Sequence, residues 1–455
     1  MEHAVTLMEM LNARDARAMR QQQLLEEYQL SVISFCLNIA GPVKNSPAIR
    51  RAFREGLERL ACALLAGRLD VVHQEEVDQP TGCEALWVVK GDGRTIKELC
   101  VELEDQDALG RLFDLDVLDP VSGKWDRTQL GQPPRKCLVC GKEGKGCASR
   151  RLHTVEELQG ATQVILEDYF GKKDQQTLGT LAAKALLYEV CTTPKPGLVD
   201  RSNNGSHRDM DVFTFLDSTA ALLPYFEEAV GLGMETRDLP PQETFRRLRQ
   251  AGAAGERAMF RATGGVNTHK GAVFTLGTVC AAAGRLWTAE GFSRDLEATL
   301  ALCGEMSAQA VQEDFAAIRR EGAHTTGQRL YLEHGLEGIR GELAQGLPAV
   351  AQIGLPTLRR RLEAGDSLEQ AGVQVLLALM AQVVDTNLIA RGGLEGQRWA
   401  MEQSRTLMQR QAVSQEEIEK LDRAFIQRNL SPGGCADLLA ITYFLHFIDE
   451  ISARL

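Results

Sequence analysis

Thr177-Leu-Gly-Thr-Leu-Ala-Ala-Lys-Ala-Leu-Leu-Tyr-Glu-Val-Cys191 marks a change of fold within the chain. Its apolar residues recur at three- and four-residue spacing, the interval at which side chains return to one face of an α-helix. The same spacing runs through Ala251 to Phe260, Leu296 to Ile318 and Ala371 to Ala390, with no strand-like alternation beyond Thr177. Before it, Ile33, Phe35, Leu37 and Ile39 alternate with smaller or polar neighbours, the period of a half-buried strand. Ala85 to Val89 and Leu99 to Leu103 read as further strands, and Ser46 to Leu65 as a helix. The expected architecture is two domains, N-terminal α+β over 1–170 and C-terminal all-α helical over 171–455. Their join is expected between Val155 and Asp174, where polar stretches cluster. Ser367 with Gln370 and Ser414 with Glu417 have capping-box spacing and mark helix starts.

A chain of 455 residues exceeds one typical core, which also argues for two or more domains. A net charge of -11 disfavours a broad basic face for nucleic acid. The first residues lack the pattern of a secretory signal, and no apolar run is long enough to span a bilayer. A cytoplasmic protein is expected. The 11 cysteines, an odd number, read as reduced thiols rather than a disulfide framework.

After Cys191 the prolines and glycines of Thr193-Pro-Lys-Pro-Gly-Leu-Val-Asp200 force a loop that extends to Asp211. It carries Lys195, Asp200, Arg201, Asn203, Asn204, His207, Arg208, Asp209 and Asp211, a mixture suited to a polyphosphate and its metal. The plain alternative is a polar surface loop. Gly264-Gly-Val-Asn-Thr-His-Lys-Gly271 enters a helix, so Asn267, His269, Lys270 and backbone amides can face a phosphate. Its spacing is not that of a Walker A loop. Asp385-Thr-Asn387 with Arg391-Gly-Gly393 is placed at the end of an apolar helix, with Asp385 either a Mg²⁺ ligand or an ion-pair partner. Ser431-Pro-Gly-Gly-Cys-Ala-Asp437 enters another helix and reads as a ligand-facing loop or a tight turn between helices.

In the first half, Gly41-Pro-Val-Lys44 follows a strand and precedes a helix that begins with basic residues, an arrangement open to phosphate. Arg111, Asp114 and Asp116 alternate with apolar residues, which puts the two aspartates on one face of a strand as a metal site, a base or the solvent side. Cys137, Cys140, Cys147 and His153 form a Cys-x2-Cys-x6-Cys-x5-His array that fits a tetrahedral Zn²⁺ knuckle, the alternative being unligated thiols that pack the loop or help bind product.

From about Leu178 onward the chain resembles the triphosphoribosyl-dephospho-CoA synthase family. The likeness rests on Glu189 with Thr193 to Asp200, Asn204-Gly-Ser-His207, Asp209-Met-Asp211, Gly265 to Gly271, Asp385-Thr-Asn387 and Pro432 to Asp437. The resemblance implies that ATP and 3′-dephospho-CoA are joined with loss of adenine. Attack of a ribose 2′-hydroxyl on the ATP ribose then calls for a carboxylate base, Asp209 or Asp211, and a donor to the departing adenine, His207 or His269. Mg²⁺ held by Asp200, Asp385 and Asp437 and the cations Lys195, Arg201, Arg208 and Lys270 would balance the triphosphate. Asn204, Asn267, Arg391, Gly433 and Gly434 complete the expected substrate contacts.

Over Val5 to Leu158 the chain resembles the apo-citrate lyase phosphoribosyl-dephospho-CoA transferase family, through Gly41-Pro-Val-Lys44 with Ser46, Glu102-Leu-Glu104, Leu109 to Leu118, and Pro134-Arg-Lys-Cys-Leu-Val-Cys140 through His153. Members of that family often carry histidine near Asp105, so no base is assigned there. The implied reaction moves the phosphoribosyl-dephospho-CoA group to a serine of the apo citrate lyase acyl carrier subunit, with release of pyrophosphate. Lys44 and Arg111 would hold phosphates, and Asp114 and Asp116 would bind Mg²⁺ or accept the serine proton. The competing readings are an ATP-dependent kinase or metal-dependent phosphohydrolase on the helical half, and a non-enzymatic zinc module joined to a helical scaffold.

Overall fold

The computed structural model describes residues 3–142, 144–410 and 413–452. Met1 and Glu2, which open the segment read above for a secretory signal, lie outside them. The chain divides into two compact units, Met1–Lys172 and Lys173–Leu455.

The first unit contains α1 (Leu7–Tyr28), β1 (Ser31–Leu37), α2 (Pro47–Ala66), β2 (Asp70–Gln79), β3 (Gly82–Lys90), α3 (Gly93–Asp105), β4 (Phe113–Asp119), β5 (Gly123–Trp125), α4 (Gly144–Ser149) and the start of α5 (Val155–Cys191). Its sheet has the order β2-β3-β1-β4-β5, with antiparallel neighbours throughout. Alternation sets the two faces. Phe35 stacks on Phe53 of α2 and meets Phe113 edge-on, while Val32, Leu86 and Val88 pack with Leu24 of α1 on the other side.

Residues 99–103, expected as a strand, lie within α3. The buried positions Ile96, Lys97, Cys100, Val101, Leu103 and Glu104 follow helical spacing, which a five-residue window cannot separate from alternation. Helix α3 also completes the open edge of β4. Lys97 Nζ donates to the Leu115 carbonyl at 2.6 Å, and the Leu115 N–H donates to Glu104 at 3.0 Å.

The expected polar join is likewise helix. The division between units falls inside α5, in which Thr162, Leu166, Phe170, Asp174 and Leu178 are buried at four-residue steps. The polar residues between them occupy the outer face of one continuous helix, and the division falls inside the interval expected for the join, Val155 to Asp174.

The second unit continues with α6 (Val212–Glu235), α7 (Pro241–Ala262), α8 (Lys270–Arg285), α9 (Leu296–Glu321), α10 (Thr326–His334), α11 (Gly338–Ala344), α12 (Leu355–Glu363), α13 (Leu368–Met380), α14 (Thr386–Met408), α15 (Gln415–Gln427) and α16 (Gly433–Ser452). Helices α8, α13 and α16 are buried along most of their length and form its core. Both expected capping boxes, at Ser367 and Ser414, are present. The apolar stretch from Ala371 to Ala390 is not one helix, because the chain leaves helical geometry after Met380 and restarts at Thr386. Asp385 therefore begins a helix as its N-cap, whereas the sequence suggested that it ended one. No described helix is long and apolar enough to cross a membrane.

Helices α6 and α8 approach to backbone contact. A Cβ on Gly233 would lie 2.1 Å from the Ala281 carbonyl oxygen, and one on Gly284 would lie 2.2 Å from that of Val230. We expect Gly284→Ala to destabilise the helical unit by about 2 kcal/mol or more, since a main-chain carbonyl cannot swing aside. Gly252→Ala, whose Cβ meets nothing closer than 3.5 Å, should be neutral or stabilising by up to about 1 kcal/mol. Denaturant midpoints of the two variants check the contrast.

Candidate active site

The loop after α5 is built by its own side chains. Asp200 accepts from the N–H groups of Lys195 (3.0 Å), Ser202 (2.7 Å) and Asn203 (3.1 Å), and from the Ser202 hydroxyl (2.7 Å). Asp422 of α15 clamps the loop again, accepting from Gly197 N–H at 2.8 Å and Asn203 Nδ2 at 2.9 Å. Gly197 has φ +72°, and a Cβ there would lie 2.2 Å from the Leu430 carbonyl, so only glycine fits. Arg391 from α14 ties the far end, donating to the Ser206 carbonyl at 2.9 Å and to His207 Nδ1 at 3.2 Å.

The loop borders a cavity of about 520 Å³ onto which the N-termini of α8, α14 and α16 open, represented by Lys270 and Gly271, Thr386 and Asn387, and Gly433 and Gly434. One carboxylate joins two of these termini. Asp385 accepts from Asn387 N–H at 2.8 Å and from Cys435 N–H at 3.0 Å, satisfying first-turn donors of α14 and α16 together. Glycines permit the approach, because a Cβ on Gly434 would come within 3.1 Å of Asp385 and one on Gly271 within 1.9 Å of the Asp437 carboxylate.

Of the residues singled out from sequence, the cavity brings together Lys195, His207, Asp209, Asn267, His269, Lys270, Asp385, Arg391, Gly433, Gly434 and Asp437. Asp200, Arg201, Asn204, Arg208 and Asp211 are not among its lining residues. Asp200 is engaged within the loop, Arg201 pairs with Glu369, and Asp211 is the N-cap of α6, accepting from Thr214 N–H at 2.9 Å. Sequence reasoning assigned no role to Thr268, Phe215, Ser431 or Glu342, which also line the cavity. Glu342 lies in α11 with no motif around it, so only the fold could have found it.

Charge in the cavity is unbalanced. Burial raises the carboxyls of Glu189, Asp385 and Asp437 above their usual range, and for Asp437 the neighbouring Glu189 and Asp385 push further the same way. Lys195, 1% exposed, is paired with Glu189, and Lys270 meets Glu256 at 3.1 Å. Both histidines are held neutral. Desolvation and then Arg391 lower His207 to about 4, and desolvation and then Lys195 lower His269 to about 3.

In the first unit, β4 lies against β1 with Asp114 opposite Cys36 and Asp116 opposite Ser34, so the two aspartates share a face as expected. Asp116 meets Lys124 at 2.6 Å, and Asp114 lies 3.8 Å from Arg135. Arg111 donates to the Lys136 carbonyl and lies 3.9 Å from Asp105, which accepts from Arg127 at 2.5 Å. Three guanidiniums thus gather near the start of β4, where burial and then the Arg135 charge lower Arg111. Lys44 donates to the Ile39 carbonyl at the end of the β1 loop. Burial pushes the Cys36 thiol up to about 12, which disfavours its nucleophilic thiolate form.

The ligand-type atoms of Cys137, Cys140, Cys147 and His153 all lie within 4.8 Å of one another, and this is the only such set of three or more among the described residues that could hold a metal ion. His153 Nε2 is buried without a hydrogen-bond partner. Asp200, Asp385 and Asp437 form no comparable preformed set.

Comparison with known proteins covers both units. Residues 175–454 match the family model described as ATP:dephospho-CoA triphosphoribosyl transferase, and residues 5–169 match that of apo-citrate lyase phosphoribosyl-dephospho-CoA transferase. The chain is 36% identical to "Protein CitXG" of Haemophilus influenzae over 97% of its own length and 96% of that protein. It is 35% identical to "Protein CitXG" of Leuconostoc mesenteroides subsp. cremoris over 97% of each. The "2-(5''-triphosphoribosyl)-3'-dephosphocoenzyme-A synthase" of Pectobacterium atrosepticum is 42% identical over 62% of this chain and 92% of its own length. These relationships give no support to a kinase or phosphohydrolase. With both transferase models matched in succession and both full-length relatives aligned across nearly the whole sequence, the chain belongs to the CitXG family of fused citrate lyase prosthetic-group enzymes.

Proposed function

We propose that the helical unit joins ATP to 3′-dephospho-CoA with release of adenine. The α+β unit then transfers the phosphoribosyl-dephospho-CoA group to a serine of the apo citrate lyase acyl carrier subunit, with release of pyrophosphate. The observation that carries the first step is the convergence of three helix N-termini, Lys270 and Arg391 on one cavity that also holds buried carboxylates. Helix N-termini favour phosphates, while the carboxylates favour the metal that accompanies them. Eleven free cysteines suit a reducing, cytoplasmic setting.

Asp209, exposed at the cavity, is the proposed base for the 2′-hydroxyl, since Asp211 is occupied as a helix cap. Asp385 and Asp437, which line the cavity, are the carboxylates proposed to meet Mg²⁺, which commonly takes one or two protein carboxylates and completes its shell with phosphate and water. Such a metal would compensate the triphosphate charge. Lys195 keeps Glu189 oriented at the cavity wall. In the α+β unit, Arg111 with Arg127 and Arg135 is proposed to receive the diphosphate, and Lys44 to contact phosphate from the β1 loop. Asp114 or Asp116 is proposed to take the serine proton or hold Mg²⁺. Charge neutralisation suffices for this transfer, and no covalent enzyme intermediate is invoked.

The cysteine array fits a structural Zn²⁺ held by Cys137, Cys140, Cys147 and His153. Three sulfurs and one imidazole are the donors that a closed, four-coordinate structural Zn²⁺ site takes, and His153 offers a buried nitrogen without a hydrogen-bond partner. The metal would brace the segment between β5 and α5. Purified without chelator, the protein should carry about one zinc per chain, and Cys140→Ser should lose most of it. A wild-type preparation without zinc would remove this assignment.

Incubation with ATP, Mg²⁺, 3′-dephospho-CoA and the apo carrier should release adenine and pyrophosphate and add the phosphoribosyl-dephospho-CoA mass to one carrier serine. ADP or inorganic phosphate in place of adenine would overturn the synthase reading. Asp209→Asn should lower the adenine-release kcat by about 10²-fold or more.

Asp437→Asn should abolish synthesis yet raise the stability of the ligand-free protein at neutral pH, by on the order of 1 kcal/mol. The sign follows from linkage: a carboxyl raised by folding favours the native state below its unfolded value, and that contribution disappears as pH rises through the folded value. The gain in melting temperature should therefore be larger at pH 8 than at pH 5, which thermal denaturation at the two pH values checks.

A further inference from the structure

Two histidines line the synthase cavity, and their hydrogen bonds distinguish them. His207 Nδ1 faces an Arg391 guanidinium at 3.2 Å, and a guanidinium can only donate. The remaining His207 N–H, on Nε2, is then directed to Ser431 Oγ at 2.9 Å. Both of its nitrogens are engaged by protein.

His269 differs. The Thr268 hydroxyl donates to Ser218 Oγ at 2.7 Å, so the single hydroxyl hydrogen of Ser218 is available for His269 Nδ1, also at 2.7 Å. With Nδ1 accepting from that hydroxyl, the imidazole proton falls to Nε2. That nitrogen is buried and has no hydrogen-bond partner in a residue only 3% exposed. The ring cannot easily turn to find one. Phe215 meets it edge-on at 5.0 Å and 87°, and the His269 backbone N–H is anchored on Met259 Sδ at 3.3 Å.

We propose that Thr268 and Ser218 are positioning residues that hold His269 as the neutral Nε2–H tautomer, and that this N–H is the hydrogen-bond donor to a ring nitrogen, N3 or N7, of the adenine leaving ATP. The inference rests on the synthase reading above. As the glycosidic C–N9 bond breaks, its electron pair passes to adenine while the 2′-oxygen bonds to the ribose carbon. The proton lost by the hydroxyl is the one adenine finally carries. His269 acts by stabilising negative charge growing on the ring and keeps its own proton, which suits an imidazole whose protonated form is opposed by burial and by Lys195. An unpaired buried N–H costs free energy in the empty site, and the departing base supplies the acceptor that relieves it.

The test combines spectroscopy with substrate analogues on the full-length chain. Nitrogen-15 imidazole spectra, with the His269 signals identified from a His269→Gln sample, should show Nε2–H in the wild type and a shift towards Nδ1–H in Ser218→Ala. The Ser218→Ala kcat for adenine release should fall about 10-fold, the worth of one hydrogen bond, with KM for both substrates within about 2-fold. Ser218→Thr should restore both tautomer and rate. With 3-deaza-ATP or 7-deaza-ATP, whichever lacks the accepting nitrogen, wild type and Ser218→Ala should react equally slowly. Thr268→Val, at a site nearer the surface, provides a second variant should Ser218→Ala fail to fold, with a smaller shift in the same direction. A wild-type Nδ1–H tautomer, an unchanged Ser218→Ala rate, or a rate defect that persists with both deaza analogues would overturn the proposal. Absence of adenine release by the wild type would instead overturn the synthase reading.

Discussion

The Asp385 carboxylate holds the helical unit's site together. By accepting from the first turns of both α14 and α16, it brings two positive helix ends to one point, and residues of both ends line the cavity. Its own N–H is held by Gln397 at 3.1 Å, a residue 3% exposed whose amide also donates to the Val383 carbonyl. The break between α13 and α14 is thereby fixed from both sides. The break then sets where Asn387 and Arg391 stand, and Arg391 in turn fixes the Ser206–His207 end of the loop after α5. Neutralising Asp385 by substitution would remove an acceptor shared by two helices, so its effects on fold and on chemistry are coupled.

The same geometry supports the proposed reading of the cavity as a site for an anionic nucleotide with its cation. Carboxylates gathered under burial favour protons or metal, and helix termini favour phosphate, so on that reading each set would be balanced by one part of the ligand. Rigid loops carry this arrangement at little cost in order on binding, because Asp200 and Asp422 have already fixed the backbone between Lys195 and Asn203. Asp200 serves the site at one remove, by shaping the turn that presents Lys195 and His207.

The α+β unit follows another strategy. Its sheet gives Asp114 and Asp116 a common face through strand alternation alone, and α3 satisfies the exposed edge beside them with Lys97 and Glu104. Its cations come from separate pieces of chain, Arg111 before β4, Arg127 after β5 and Arg135 close to the cysteine array. A metal bound to that array would therefore act on the position of Arg135 through a short stretch of backbone.

The sequence by itself determined the two-part architecture, because strand and helix periods differ and each persists over many residues. It also determined the loops that border the cavity, since proline, glycine and clustered polar side chains are local signals, and the matching families, since their motifs occur in order. Only the tertiary structure decided the rest. Short windows misread residues 99–103 as strand, because five residues do not resolve a helical period, and the join expected between Val155 and Asp174 falls inside a continuous helix whose solvated face is polar. The role of Asp385 as the start of a helix was hidden by continuous apolar composition across the break after Met380. Which of Asp200, Asp209 and Asp211 faces the cavity, and the Thr268–Ser218–His269 chain, depend on contacts between residues far apart in sequence, where distance and orientation in space, rather than residue type, set what a side chain can do.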